Sequence, residues 1–207
     1  EKINSIVRAI NSEMAFDNLV QALLEQMLII QGAERIAVLF AERDRPLMRF
    51  VAATAPPLAE LAGIELSPEE AEARYVADSE QIDEDLFAAR NVKGRPGEEK
   101  FIGLELPAAM LVMRLRIGGR IEGYLLCASM TDPDAFAQRD IQLLSSLKEH
   151  IQAAFAKTRM LGELQVLNDK KNEFLGFAAH DLRNPLGLIS GWTGLAVRNL
   201  ETGTQPV

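Results

Sequence analysis

The side chains best suited to chemistry lie in one short segment near the C-terminus, NEFLGFAAHDLRNPLG, residues 172–187. On a helix that turns about 100° per residue, its apolar residues fall on one broad side, and His180 falls nearly opposite their centre. Asn184 shares the polar face with His180, because residues four apart are neighbours on a helix. Asp181 lies at the border between the two faces. The spacing predicts a solvent-facing imidazole, which is a nucleophile near neutral pH, with a carboxylate and an amide close by.

This segment closely resembles the histidine box of sensor histidine kinases, the phosphoacceptor helix of their dimerisation and phosphotransfer domain. The matching residues are Phe174, Ala178, His180, Asp181, Leu182, Arg183, Asn184, Pro185 and Leu186. The resemblance implies that His180 is phosphorylated on a ring nitrogen from ATP, with magnesium as the metal cofactor. It also implies that His180 passes the phosphoryl group to an aspartate of a response-regulator receiver domain.

The neighbouring side chains suit the roles that this resemblance implies. Asp181 is expected to act as a general base, which accepts a proton from the imidazole and offsets its developing positive charge. Asn184 can position the phosphate, or later a hydrolytic water, without adding charge. The Asp-x-x-Asn arrangement at 181–184 resembles the family pattern that is linked to both kinase and phosphatase activity.

Only a short stretch of sequence follows this segment. The chain stops at Val207, soon after the phosphoacceptor helix is expected to end near Asn199–Leu200. A second helix of the phosphotransfer domain and an ATP-binding domain are missing from these residues, and no glycine-rich stretch follows a strand and opens a helix to hold phosphates. We therefore expect a piece of a longer kinase, and the absence of methionine at Glu1 agrees with this.

The sequence before this segment contains the elements that must position it. Residues 3–14 are predicted to form a helix, and Asp17 is a plausible N-cap for a second helix over 18–31. Two apolar runs at 35–42 and 47–54 are separated by a turn-like sequence. This pattern predicts a β-hairpin.

A second predicted hairpin lies beyond an acidic region. Residues 58–100 are predicted to form short helices whose many carboxylates make a solvated face. Strand-like residues 111–117 and 120–129 then flank Gly118-Gly119, a pair that suits a two-residue primed turn. A long helix is expected to begin near Phe136.

This order of elements resembles a GAF domain, a small sensory module of signalling proteins, over roughly residues 15–157. The resemblance depends on the order of helix, hairpin and variable region, and on LRIGGRIEGYLLCAS with Phe136, Asp140 and Leu143-Leu144 after it. It implies an α+β fold, in which a GAF-like antiparallel sheet of about six strands is flanked by helices and followed by a long C-terminal coiled-coil helix. It also implies a small-molecule pocket between the sheet and the variable region.

The ligand of that pocket stays unknown. Cys127, the sole cysteine, falls inside a predicted strand, so we expect a buried, inert thiol and no bilin attachment. A haem needs an axial ligand such as histidine, and the pocket region has none. The Asn-Lys-Phe-Asp-Glu pattern of cyclic-nucleotide-binding relatives is missing too. No metal site is predicted, because the acidic cluster Asp83–Asp85 lacks the glycine and the distal glutamate of an EF-hand loop.

The long helix carries an apolar stripe at alternating steps of three and four, formed by Leu144, Leu147, Ile151, Ala154, Thr158 and Leu161. This spacing is that of a coiled-coil seam and favours a parallel homodimer. The alternative is an amphipathic helix that packs on its own domain. His150, the other histidine, lies on this helix in a solvated or interhelical position.

The predicted organisation has five parts. An N-terminal helix (1–16) precedes the GAF-like sensor domain (17–157). A coiled-coil signalling linker (158–173), the truncated phosphoacceptor helix (174–200) and a tail (201–207) follow.

Composition limits the partners and the location. The 207 residues carry a formal net charge of −8, which argues against binding to nucleic acid or to an acidic membrane. No apolar run reaches the ~20 residues that cross a bilayer. A single cysteine suggests a reducing compartment, so a cytoplasmic location is expected.

Two functions remain open at this point. The favoured one is the sensory and phosphoacceptor portion of a two-component sensor histidine kinase, in which the GAF domain transmits a signal through a dimeric helix to His180. The other is a non-enzymatic, GAF-containing dimeric scaffold or binding module.

Overall fold

The computed structural model describes residues 16–42, 45–90, 92 and 106–202, and the side chains of the last helix as far as residue 199. The helices are α1 (Phe16–Met27), α2 (Leu58–Leu61), α3 (Pro68–Tyr75) and α4 (Gln138–Thr202). The strands are β1 (Arg35–Ala41), β2 (Met48–Ala53), β3 (Glu65–Leu66), β4 (Glu80–Gln81), β5 (Leu86–Arg90), β6 (Ala109–Ile117) and β7 (Arg120–Ser129).

These seven strands form one antiparallel sheet in the order β3-β2-β1-β7-β6-β5-β4. The central hairpin β6–β7 turns through Gly118 and Gly119, whose φ angles of 57° and 82° lie in the left-handed region. A two-residue turn of this kind matches the twist of the flanking strands, and glycine adopts it without strain. The predicted primed turn is confirmed.

One face of the sheet packs against α1 and the first half of α4. Its strand residues include Leu111, Met113 and Leu115 of β6, which share a face because successive side chains of a strand point to opposite sides. The helices contribute Leu19, Leu23, Met27, Leu144, Leu147, Ile151 and Phe155. The ring of Phe155 stacks on that of Phe40 at a centroid distance of 5.3 Å, which holds α4 against β1.

The opposite face of the sheet packs against α2 and α3. Met110 and Val112 of β6 and Leu126 of β7 join Leu61 of α2 and Tyr75 of α3 in a second buried cluster. The sheet is therefore the middle of three layers, and β6 contributes buried side chains to both sides.

Local sequence determines where α3 begins. The Ser67 hydroxyl accepts a hydrogen bond from the N–H of Glu70, and the Glu70 carboxylate accepts one from the N–H of Ser67. Pro68 occupies the first helical position, where its missing N–H costs nothing. This capping box fixes the start of α3, and so the point at which Tyr75 at its end meets the sheet.

The architecture confirms the expected α+β class and differs from the expectation in its details. The sheet has seven strands rather than about six. Strand β5 lies in the region where only short helices were predicted. The prediction failed because a short apolar run without alternation does not distinguish a strand from a helix.

Helix α1 spans Phe16–Met27 rather than 18–31, and Asp17 lies in its first turn, so the predicted N-cap is wrong. The helix predicted over 3–14 lies outside the described residues.

The first half of the predicted coiled-coil seam is buried within the domain. Leu144, Leu147 and Ile151 are 0% exposed, and Ala154 is 3% exposed. These four side chains belong to the core cluster beneath α4, so the predicted dimer seam is wrong over this stretch. The alternative, an amphipathic helix packed on its own domain, is confirmed there. The prediction failed because a dimer seam and a core-facing stripe have nearly the same spacing.

The chain divides into two compact units between Arg159 and Met160, within α4. The first unit contains the sheet and the helices that cover it, and the second contains the remainder of α4. Among the described helices, none combines the length and the apolarity that crossing a bilayer requires.

Shortening a buried side chain of α4 should destabilise the first unit. We expect Ile151→Ala to lower the free energy of unfolding by about 2–5 kcal/mol, because it removes buried apolar atoms and leaves a cavity. The control is Leu161→Ala, at a later position of the same stripe that is 44% exposed, which should lower it by less than about 1 kcal/mol. Urea unfolding followed by circular dichroism measures both. Equal effects would contradict the packing of Ile151 inside the domain.

Candidate functional site

The three predicted site residues lie on α4, in the second unit. The side chains of His180 and Asp181 are 71% and 83% exposed, and Asn184 is exposed as well. Nδ1 of His180 lies 3.5 Å from Oδ1 of Asp181. The regular helix brings His180 and Asn184 to one face, because they are four residues apart. The imidazole is therefore open to solvent, with a carboxylate near one of its two ring nitrogens.

This geometry suits nucleophilic attack by the other ring nitrogen, Nε2. When the carboxylate of Asp181 accepts a hydrogen bond from Nδ1–H, the ring is held in the tautomer whose Nε2 lone pair is free. The 3.5 Å separation is longer than a charge-assisted hydrogen bond, and both side chains are exposed enough to close it by rotation. The amide of Asn184 offers an uncharged donor to an incoming oxygen atom.

The same part of α4 exposes a broad apolar face. Large side chains that are each more than half exposed follow one another along it, namely Phe174, Leu175, Phe177, Leu182, Leu186, Ile189 and Trp192. An exposed apolar surface of this length indicates an interaction with another helix or protein. Because His180 lies opposite the centre of this face, a partner that covered it would leave the imidazole accessible.

A second candidate site is a cavity of about 70 Å³ in the first unit, on the sheet face that α2 and α3 cover. Its walls are mostly apolar and include Ile36, Phe50, Leu61, Met110 and Leu126, with Arg35 and Tyr75 as polar members. An apolar concavity with a few polar groups is suited to a small organic ligand.

Carboxylates of the acidic loop between β4 and β5 form hydrogen bonds to β6 and to α4. Asp85, which is 5% exposed, accepts hydrogen bonds from Arg116 of β6 and from the amide of Gln152 on α4, the latter at 3.1 Å. The carboxylate of Asp83 accepts a bond from Lys148 of α4 at 2.9 Å. Burial by itself raises the pKa of Asp83, but the bonds from Lys148 and from two backbone N–H groups outweigh it and hold the pKa below its usual value.

The predicted solvated acidic face is therefore wrong for Asp83 and Asp85. Their carboxylates pair with a strand and a helix that the sequence does not place beside them. Within the described residues, no group of three or more His, Cys, Asp or Glu side chains is arranged to hold a metal ion.

Glu72 of α3 makes the corresponding link on the other face of the sheet. Its carboxylate accepts hydrogen bonds from the guanidinium of Arg114 and, at 2.8 Å, from the hydroxyl of Tyr124. The guanidinium of Arg114 also lies 4.3 Å from the centre of the Phe87 ring. The carbonyl of Arg114 accepts a bond from Gln152 at 3.2 Å. Hydrogen bonds thus connect α3, the sheet and the first half of α4.

Cys127 is fully buried in β7, as expected from its position in a predicted strand. Burial raises the pKa of its thiol to about 12. Such a thiol forms almost no thiolate near neutral pH, and thiolate is the reactive species. Cys127 is therefore unsuited to attach a chromophore or to catalyse thiol chemistry.

Similarity to solved structures identifies the fold. The GAF domain of a phosphoenolpyruvate-protein phosphotransferase from Acinetobacter aligns with a TM-score of 0.62 at 13% identity, over 77% of this chain and 93% of that one. The free methionine-R-sulfoxide reductase from Neisseria meningitidis, solved with its substrate, gives 0.60 at 15% identity, over 78% and 90% of the two chains. The chromophore-binding domain of a bacteriophytochrome from R. palustris gives 0.55 at 11% identity, over 77% and 62%. The chain has the fold of GAF domains.

Sequence comparison with family models and with curated proteins found no match. The similarity to solved structures, at 11–15% identity, establishes the fold alone. The ligand and the activity must therefore be argued from the residues of this chain.

Sequence reasoning missed the polar residues of α3 that contact the cavity or the sheet. Tyr75 lines the cavity and Glu72 bonds to the sheet, but each is an ordinary residue of a short acidic helix, so its type and spacing gave no signal. One signal was present in β6, where Arg114 follows the five apolar residues of Ala109–Met113 and Arg116 follows Leu115. Arginines on a strand with both faces buried require carboxylates from other elements.

We expect the thiol of Cys127 to resist alkylation in the folded protein. Because it is buried and its pKa is raised to about 12, it should not react with iodoacetamide at about pH 8, whereas the urea-unfolded chain should react fully. Mass spectrometry of the intact protein counts the groups added. Rapid labelling of the folded protein would contradict the buried position.

Proposed function

We propose that this chain is the sensory and phosphoacceptor portion of a two-component sensor histidine kinase. In this proposal, the GAF-fold domain binds a small-molecule signal and α4 carries the response to His180. His180 receives a phosphoryl group from ATP, which a nucleotide-binding part of the kinase holds with magnesium. It then donates this group to an aspartate of a response-regulator receiver domain.

The observation that supports the proposal most is the exposure of His180 within a continuous helix. A structural histidine is usually buried or bonds to a helix end, whereas this side chain is 71% exposed and lies far inside α4. Its Nδ1 atom lies 3.5 Å from a carboxylate oxygen of Asp181. An imidazole exposed beside an acid is suited to react with a large incoming substrate.

Each of the three site residues has a separate role in the proposed reaction. Nε2 of His180 forms a bond to the γ-phosphorus while the bond from that phosphorus to the bridging oxygen of ADP breaks. Asp181 accepts the Nδ1 proton and stabilises the positive charge that develops on the ring. Asn184 positions the phosphoryl oxygens and, in the reverse function, a hydrolytic water.

The exposed apolar face of α4 supports a homodimer. Phosphotransfer domains of this kind bury such a face inside a four-helix bundle, to which each chain contributes. The dimer contact belongs to the second unit, because the buried positions from Leu144 to Ala154 are occupied by the chain's own core. A cytoplasmic location fits the proposal, because ATP and response regulators act there.

A non-enzymatic binding module or scaffold is the alternative. The cavity and the exposed apolar face both favour it, since ligand binding and assembly with other helices require no reactive histidine. The two functions differ in one measurable property, which is phosphate on His180.

Replacing His180 should abolish autophosphorylation without affecting the fold. In the natural polypeptide that contains these residues, incubated with ATP and magnesium, we expect His180→Gln to carry no acid-labile phosphate. The matched control is His150→Gln, at the only other histidine, which is also exposed on α4 and should leave phosphorylation unchanged. Both variants should keep the wild-type melting temperature. Acid-labile phosphate on His180→Gln, or none on the wild type, would favour the scaffold.

Replacing Asn184 should separate the two activities of the site. We expect Asn184→Ala to slow dephosphorylation of the cognate receiver domain by about 10- to 100-fold, because the variant lacks the amide that holds the hydrolytic water. Autophosphorylation should fall by a smaller factor. The rate of autophosphorylation and the rate of inorganic phosphate release from the phosphorylated receiver domain measure the two effects, and equal losses would mean that Asn184 only positions the phosphate.

A further inference from the structure

The helix around His180 carries very little charge. From Phe174 to Val197, the sequence contains two formally charged side chains, Asp181 and Arg183. Both lie within three residues of the imidazole, and both are exposed. A helix surface whose charges serve only solubility normally carries several of each sign along its length. The placement of these two charges therefore favours a role in the chemistry of His180.

Arg183 has no acidic neighbour along its helix. The residues three and four positions away, which a helical side chain contacts, are Ala179, His180, Leu186 and Gly187. His180 is the polar member of this set. Within the part of the chain that the structure describes, the guanidinium forms no ion pair and no hydrogen bond. Its five N–H donors are therefore available to a group that arrives beside the imidazole.

The acid and the guanidinium flank His180 on opposite sides. At about 100° per residue, Asp181 lies about 100° to one side of His180 and Arg183 about 60° to the other. Nδ1 lies 3.5 Å from Oδ1 of Asp181, so Nε2, the other ring nitrogen, points away from that carboxylate. Side chains three residues apart have Cβ atoms about 5–6 Å from each other, a distance that the long arginine side chain spans. The guanidinium can therefore reach a group bound to Nε2.

A phosphoryl group on Nε2 needs a cation that the ring and Asp181 do not supply. Such a group has three acceptor oxygens and carries close to two negative charges above about pH 6. The carboxylate of Asp181, which stabilises positive charge on the ring, repels these oxygens. The guanidinium of Arg183 presents paired N–H donors that match two of them, and it keeps its charge across the accessible pH range. The amide of Asn184 adds a donor but no charge.

We propose that Arg183 is a further catalytic residue, which binds the phosphoryl oxygens as the group moves to Nε2 of His180. The two charged side chains then have different roles, because Asp181 stabilises the ring and Arg183 stabilises the phosphoryl group. The contact lowers the barrier to transfer, since negative charge on the moving oxygens meets a cation that is already in position. This inference deepens the proposed function and rests on it, because a phosphoryl group on His180 is its premise.

The contact can be measured without ATP and without a nucleotide-binding domain. Phosphoramidate phosphorylates exposed imidazoles directly. Its phosphorus bonds to the ring nitrogen while the bond to its own nitrogen breaks, ammonia leaves, and the ring proton passes to solvent. In the purified chain carrying His150→Gln, His180 is the histidine that remains to react. Phosphorus NMR between about pH 5.5 and 8.5 then gives the pKa of the phosphoryl group, which loses its second proton near pH 6.

Removing the guanidinium should raise this pKa. We expect Arg183→Gln to raise the phosphoryl pKa by about 0.3–0.7, because a cation at ~4 Å in water favours the doubly charged form by an amount of this order. Arg183→Lys keeps the charge and should keep the pKa within about 0.2 of the wild-type value. The matched control is Arg198→Gln, at an exposed arginine about 27 Å further along the helix at 1.5 Å per residue, and it should leave the pKa unchanged.

The rate of phosphorylation tests whether the contact acts in the transition state. In the natural polypeptide that contains these residues, Arg183→Gln should slow autophosphorylation by about 10- to 100-fold and change the KM for ATP by less than about two-fold, because the nucleotide is held elsewhere. Arg183→Lys should restore part of the rate, since it supplies the charge without the planar fork. Arg198→Gln should be as fast as the wild type. All three variants should keep the wild-type melting temperature, because both arginines are exposed.

The possible results separate this inference from the proposed function. An unchanged phosphoryl pKa in Arg183→Gln, or no phosphate on His180 after treatment with phosphoramidate, would overturn the inference. A loss confined to transfer to the receiver domain, with autophosphorylation unchanged, would overturn it too and would place Arg183 in the contact with that domain. A wild type that ATP does not phosphorylate would contradict the proposed function and the catalytic role, whereas the phosphoryl pKa would still report the contact.

Discussion

Burial of the central hairpin β6–β7 on both faces is the constraint on which the rest of the first unit depends. Successive side chains of a strand point to opposite sides, and in β6 both sets are apolar over Ala109–Met113. One layer of helices could cover only half of them. Helices α1 and α4 therefore cover one face, and α2 with α3 covers the other. The cavity lies in the second of these layers, where short helices meet the sheet.

The two arginines of β6 need carboxylate partners, in addition to the helices that its apolar side chains need as cover. Arg114 and Arg116 follow the apolar part of the strand and are mostly buried, so each needs an acid from outside the sheet. Glu72 on α3 supplies one, and Asp85 in the β4–β5 loop supplies the other. Gln152 on α4 donates to both Asp85 and the carbonyl of Arg114. Helix α3, the sheet and the first half of α4 are therefore connected by hydrogen bonds as well as by the core.

As far as the structure describes it, the second unit is a single helix and has no core of its own. A single helix satisfies its own backbone N–H and C=O groups, but it cannot bury its own apolar side chains. Its apolar face is therefore left exposed and is suited to contact with another helix or protein, while His180 lies on the opposite face. Contact along the apolar face would leave the imidazole accessible. In the first half of α4 the same kind of apolar stripe is buried on the sheet, whereas in the second half it is exposed.

Local signals in the sequence determined the β6–β7 turn, because its two glycines tolerate positive φ. They also determined that His180 is exposed to solvent, because the helical period places it opposite the apolar face. The α+β class followed from the order of apolar runs and the resemblance that it supports. Tertiary structure alone decided which surface covers the stripe from Leu144 to Ala154, because a dimer and a sheet satisfy the same spacing. It also decided that β5 is a strand and that Glu72, Asp83 and Asp85 form bonds rather than a solvated face. Pairing between residues far apart in the chain depends on three-dimensional position, which neither period nor composition specifies.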